Sequence, residues 1–183
     1  MKPLPRSFFA RNTVDVAKDL LGKVLEVNGC KARIVETEAY GKDPASHAFK
    51  KTERSALMYD TSAHVYVYLI YGMYYCLNFT TEKEGEPGAV LIRAVEPLNK
   101  IRQLQKIRNT DKITNLCSGP GKLCQALGID KKHNGLPLGK EVKVYDDGFR
   151  VTEIGKSSRI GIKDARHLEW RFFIEENEWM SRV

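Results

Sequence analysis

At 183 residues the chain can bury a core of its own without metal or disulfide support, and it reads as one domain over 1–183. Thirty Lys and Arg against 23 Asp and Glu give a net charge of +7, which suits a polyanionic partner such as nucleic acid and says nothing about fold. No apolar run reaches membrane-spanning or signal-peptide length, and Cys30, Cys76, Cys117 and Cys124 lack Cys-x-x-Cys or His spacing, which argues against a zinc site or a membrane partner and for a cytoplasmic protein with reduced, buried thiols.

After an arm carrying Phe8 and Phe9, Asn12 or Thr13 caps a helix that turns Val14, Ala17, Leu20 and Leu21 inward and ends at Gly22. Strands over 23–27 and 30–40 then flank Asn28-Gly29, the dipeptide preferred by two-residue hairpin turns. Strict alternation in the second strand places Ile34, Glu36, Glu38 and Tyr40 on one side, with the two carboxylates about 7 Å apart at ~3.3 Å per residue. In a partly buried site such a pair recruits a cation or shifts in pKa and suits general-base work; on an exposed face both acids are simply solvated. Residues 41–63 lack a period and read as a long surface loop. His47 lies in it, either as a structural hydrogen-bonder or near a substrate, as do Lys50, Lys51 and Arg54.

From His64 to Thr81, period-two alternation separates Tyr66 and Tyr68 from Val65, Val67 and Leu69 before Gly72 breaks the run, which predicts a hairpin tipped by Tyr71, Gly72, Met73 and Tyr74. Either this apolar tip folds back onto the domain, or a partner covers it; for a basic protein that partner is nucleic acid, into which an aromatic wedge can be driven. Residues 89–97 form a buried strand with Arg93 inside its apolar run. A guanidinium there needs a partner, and Glu36 and Glu38 are the unassigned acids. A basic amphipathic helix covers 99–112. A second helix opens at Ser118 or Gly119, with Pro120 in its first turn, and closes at Gly128; its glycine-flanked start with Lys122 suits a phosphate but equally serves as ordinary capping. Residues 141–145 and 149–154 flank Asp147-Gly148 as another hairpin, 159–162 and 170–174 are closing strands, and Trp179 packs the tail. There is no repeat, P-loop or dinucleotide fingerprint. The sum is an α+β fold: a curved, mostly antiparallel sheet with surrounding helices and a protruding β-hairpin.

Residues 33–40, His47, 66–74, 76–78, 91–97 and 116–127 together resemble, in order and spacing, the alkyladenine (3-methyladenine) DNA glycosylase family, and the resemblance covers nearly the whole chain. It implies a monofunctional enzyme that needs no metal or other cofactor, acts as a monomer on double-stranded DNA containing damaged purines, flips an alkylated or deaminated purine and hydrolyses its N-glycosidic bond. It implies Glu38 as the general base that activates water, with Arg93 holding that water and the carboxylate. Tyr40, His47 and Tyr68 would sandwich the base, Asn78 would sit at its edge, and Tyr71 would be the wedge. Arg54 and Lys122 are the candidate phosphate contacts. The loop from Tyr40 to His47 is two residues shorter than in mammalian-type relatives, and residues 50–54 depart from theirs, which bears on damage preference rather than on chemistry. Two other readings differ in class: a non-enzymatic minor-groove binder using the same wedge, for which Glu38→Gln would be silent, and a carbohydrate glycosidase, against which the basic charge and the tyrosine-tipped hairpin argue.

Overall fold

A computed structural model describes residues 1–181. Short β1 (Lys2–Pro3) and α1 (Arg6–Phe9) lead into α2 (Thr13–Asp19), where the Asn12 side chain accepts from the backbone N–H groups of Val14 and Asp15. β2 (Val24–Val27) and β3 (Cys30–Tyr40) turn at Asn28 and Gly29, both with positive φ. α3 (Ala56–Asp60) precedes the hairpin of β4 (Val65–Ile70) and β5 (Tyr74–Thr80), followed by β6 (Ala89–Pro97). α4 (Ile101–Arg108) and α5 (Pro120–Leu127) come next, the latter closed by Gly128 at φ 69°. The chain ends through β7 (Val142–Asp146), β8 (Ile154–Ser157) and β9 (Arg171–Ile174).

All strand pairs are antiparallel, in the order β1-β7-β2-β3-β6-β5-β4, with β9 joining β3 and β8. The eleven-residue β3 is the axis of this sheet. Its first half pairs with β2, its second half pairs with β9 through Glu36, Thr37 and Glu38, and β6 runs along its length. The fold class is therefore α+β with a curved antiparallel sheet. The main core gathers α2, α5 and one face of the sheet; a smaller cluster of Ala48, Met58, Tyr59, Tyr66 and Ala89 lies under residues 41–63. Among the described residues no helix is long and apolar enough to cross a membrane. All four cysteines are buried and unpaired.

Several sequence expectations change. Residues 149–153 form no hairpin with β7, because β7 already has β1 on one edge and β2 on the other. Asp147 instead pairs with Arg33, whose guanidinium lies 4.0 Å from the Phe149 ring centroid. Residues 159–162 form no strand either, since the Ile160 N–H is spent on a side chain rather than on a ladder. The register of β3 on β6 is irregular between Ile34 and Thr37, so Ile34 joins Val35 in the main core instead of the Glu36 face. Residues 41–63 are no simple surface loop: a 3₁₀ turn over His47–Phe49 and α3 bury Ala48, Met58 and Tyr59.

Gly88 locks the start of α2 to the β5–β6 connection. Thr13 Oγ1 lies 2.8 Å from Thr81 Oγ1, and the Thr13 N–H and hydroxyl both donate to Glu82 Oε1, at 2.6 and 2.8 Å. A Cβ on Gly88 would come within 2.5 Å of Thr81 Oγ1 and closer still to Thr13 Oγ1. Gly88→Ala is expected to cost about 1–3 kcal/mol through overpacking. At ~2–4 °C per kcal/mol for a chain of this size, calorimetry would register a lower thermal midpoint; an unchanged midpoint would mean that this junction is not packed as described.

Candidate active site

Glu36 and Glu38 have no solvent exposure, and two arginines sit with them. Arg93 places Nε 3.0 Å from Glu36 Oε1 and Nη1 3.2 Å from Glu38 Oε1; Arg171, from β9, donates Nε to Glu36 Oε1 at 2.7 Å. The expectation that Arg93 is paired by these two acids is met. Burial opposes the Arg93 charge, but Glu38 and Glu36 outweigh it and hold its pKa above the ordinary value. Glu36 also accepts from the Ser181 N–H (2.6 Å) and hydroxyl (2.8 Å), so four protein donors hold it.

Glu38 is held differently. Its Oε1 accepts from the Ile160 N–H at 2.7 Å and its Oε2 from the Tyr40 hydroxyl at 2.8 Å. Ile160 and Tyr40 both line a cavity of about 260 Å³, a little below the ~300–1,000 Å³ of drug-sized sites and suited to a single aromatic ring system. Glu38 thus stands one hydrogen bond behind the cavity wall. Burial, with Glu38 beside it, pushes the Tyr40 phenol up, so it remains a donor.

The same cavity is lined by His47, Tyr68, Asn78, Tyr71 and Arg54. Residues from four separate stretches of sequence therefore converge on it. The His47 and Tyr68 rings meet edge to face with centroids 4.6 Å apart, and His47 Nδ1 lies 2.9 Å from the Tyr66 hydroxyl. Burial, then Arg54, lowers the His47 pKa to about 4, leaving a neutral imidazole at pH 7. Asn78 is fixed by its own strand pair: Nδ2 donates to the Tyr66 and Cys76 carbonyls at 3.1 and 3.3 Å.

Of the expected tip residues, Tyr71 and Met73 do not fold back, whereas Tyr74 opens β5 and packs against α5. Tyr71 is 82% exposed and Met73 66%, on a turn with positive φ at Tyr71 and Gly72 and a Met73 N–H to Ile70 carbonyl bond of 3.2 Å. Behind the tip, Tyr74 rests on Gly121 at the start of α5, where an added Cβ would lie 3.0 Å from the ring. A second cavity, of about 450 Å³, opens here between Arg93, Arg108, Lys122 and the tip. Lys122, in α5's first turn, bonds the side chain of Asn115, which lies in the preceding 3₁₀ turn over Ile113–Asn115. Ile70, Tyr71, Ile160 and Gly161 border both cavities, so Arg93 and Lys122 lie on one side of this partition and the aromatic pocket on the other.

Three contributors escape the sequence reading. Arg171 interrupts an apolar run as Arg93 does, and the same question about its partner would have found it. Ile160 acts through its backbone, which leaves no trace in residue type. Arg159 is 3% exposed, grips Asp43 with both terminal nitrogens and donates to the Ala39 carbonyl at 3.0 Å, while its guanidinium lies 4.6 Å from the Tyr40 ring centroid. Among the described residues no group of three or more His, Cys, Asp or Glu gathers as a metal site.

The Methylpurine-DNA glycosylase (MPG) family model matches residues 7–178. Three bacterial relatives, each named "Putative 3-methyladenine DNA glycosylase", are similar over nearly their full length. The Clostridium novyi (strain NT) protein is 45% identical over 200 residues, 100% of both chains. That of Alkaliphilus oremlandii (strain OhILAs) is 46% identical over 199 residues, 98% of each. That of Bradyrhizobium diazoefficiens is 40% identical over 183 residues, 99% of this chain and 92% of the relative. A match of this extent leaves no part of the described fold unaccounted for: the chain belongs to the methylpurine-DNA glycosylase family, enzymes that hydrolyse N-glycosidic bonds in DNA.

Proposed function

We propose that the protein, working as a monomer without a cofactor and with its whole length as one catalytic domain, flips an alkylated or deaminated purine out of duplex DNA and hydrolyses its N-glycosidic bond. The observation that carries this reading is a fully buried carboxylate, Glu38, one hydrogen bond behind an aromatic cavity whose rim is an exposed tyrosine-tipped hairpin. A base stacked in a duplex hides its sugar carbon from water, so it must be rotated out at a cost of a few kcal/mol, least for damaged pairs. Tyr71 fills the gap left in the stack. Tyr40, His47 and Tyr68 receive the base, and Asn78, held rigidly by the backbone, meets its edge and crowds the exocyclic amine of normal guanine.

Glu38 takes a proton from water as the water oxygen bonds to the sugar carbon, and the electron pair of the broken bond leaves with the purine. Arg93 keeps a positive charge beside that carboxylate and helps hold the water. An alkylated, cationic purine departs neutral; a neutral lesion needs a proton at a ring nitrogen as it leaves. Glu36, held by two arginines and by the Ser181 N–H and hydroxyl, does not border the cavity and is structural in this scheme.

In single-turnover assays on duplexes carrying one damaged purine, Glu38→Gln should slow base release by about 10²–10⁴-fold while still binding the lesion. Tyr71→Ala should impair lesion binding itself; equal loss of binding in both variants would remove the division of roles. If Lys122 meets a phosphate, Lys122→Ala should weaken binding to all sequences alike and lower the salt slope by about one, and an unchanged slope would rule the contact out. His47, at about 4 when folded against an ordinary 6.5, binds fewer protons folded than unfolded. Its contribution to stability is therefore complete above pH 6.5 and is lost as pH falls toward 4. The unfolding free-energy gap between the parent and His47→Gln should be flat above that window and narrow below it; a gap that widens on acidification would contradict a neutral His47.

A further inference from the structure

Two of the rings that line the cavity, Tyr40 and Tyr68, already have a guanidinium against them. Arg159 lies 4.6 Å from the Tyr40 centroid, fixed by Asp43 and the Ala39 carbonyl, and does not line the cavity. Arg54 does line it, with its guanidinium 5.2 Å from the Tyr68 centroid and its side chain reaching from an exposed position. It is the only charged residue among the lining residues described. Glu38 is screened from the cavity by Tyr40 and Ile160, and its charge is shared with Arg93.

We propose that Arg54 is a specificity-determining residue that filters purines by charge, disfavouring a cationic alkylated base relative to a neutral deaminated one. The inference rests on the aromatic cavity being the base pocket. A cationic base gains attraction from a tyrosine face, but here Tyr68 already serves Arg54, and the incoming charge meets a like charge at short range with no acid on the lining to offset it. A neutral purine meets no such repulsion. One that carries a carbonyl oxygen in place of an amine also offers an acceptor to the guanidinium's donors. The neutral state of His47 removes the other source of positive charge that would act alongside Arg54, so the preference belongs to Arg54 alone over the neutral pH range.

The test uses duplexes with a 2′-fluoro sugar, which resists hydrolysis, bearing either N7-methylated guanine (cationic) or hypoxanthine (neutral). Affinities for both are measured with the parent protein, Arg54→Met and Arg54→Lys, at two salt concentrations, alongside base release from the unfluorinated hypoxanthine duplex. Arg54→Met should move the cationic-to-neutral affinity ratio toward the cationic lesion about tenfold, while Arg54→Lys keeps the parent ratio. Equal weakening for both lesions with a salt slope lower by about one would overturn the proposal in favour of a phosphate contact, and equal shifts in Met and Lys variants would overturn charge as the cause. Hypoxanthine release by the parent with an unmoved ratio removes the filter and leaves the glycosylase reading standing. A moved ratio without release does the reverse.

Discussion

Two carboxylates with no solvent exposure, two residues apart on one strand, are the constraint on which the rest of the structure depends. Neither can be buried as an anion without cations close by, and breaking such a pair by removing one partner costs about 3–5 kcal/mol. Arg93 and Arg171 supply the charge, and they come from the two strands that flank the second half of β3. Register on both sides of β3 is thereby tied to charge pairing as well as to hydrophobic alternation. The irregularity of β3 on β6 falls at Ile34–Thr37, where Glu36 and Arg93 must face each other. Ser181 donates to Glu36 and Ile160 to Glu38, which draws the C-terminal segment and the 159–162 loop onto the node.

The node separates its two acids by function. Glu36 collects two guanidiniums, a hydroxyl and a backbone N–H, none of them from a group on the wall of the aromatic cavity. Glu38 shares one guanidinium and takes its other bonds from the two groups that also form the cavity wall. The difference follows from position: Glu36 and Glu38 lie at the two ends of the β9 pairing, opposite Phe173 and Arg171, and the Glu38 end is the one beside the turn that carries Ile160.

Much of this is legible in the sequence. β3, the Tyr66 and Tyr68 face, the Asn28-Gly29 turn and the Arg93 pairing follow from alternation and from the cost of a lone buried charge. What was not legible shares a physical character. The failed hairpin at Asp147-Gly148 depended on whether β7 still had an open edge, which is a property of the whole sheet. Ile160 contributes a backbone N–H that any residue but proline could supply. Arg159 and Asp43 are 116 positions apart, and no local pattern announces a pair at that separation. Local chemistry showed where a partner was needed, and topology decided which one it was.

Arg159 also joins parts that the sequence presents as unrelated. Its grip on Asp43 ties the loop before His47 to the turn whose next residue holds Glu38, and its planar face lies against Tyr40, whose hydroxyl holds the other oxygen of the same carboxylate. Because Tyr40 is bonded at its hydroxyl and covered on its ring, the wall of the cavity and the orientation of Glu38 are set by one rigid unit. A displacement of either loop is then felt at both the pocket and the carboxylate. That coupling lets a site assembled from distant segments keep the sub-ångström order that attack by a single water demands.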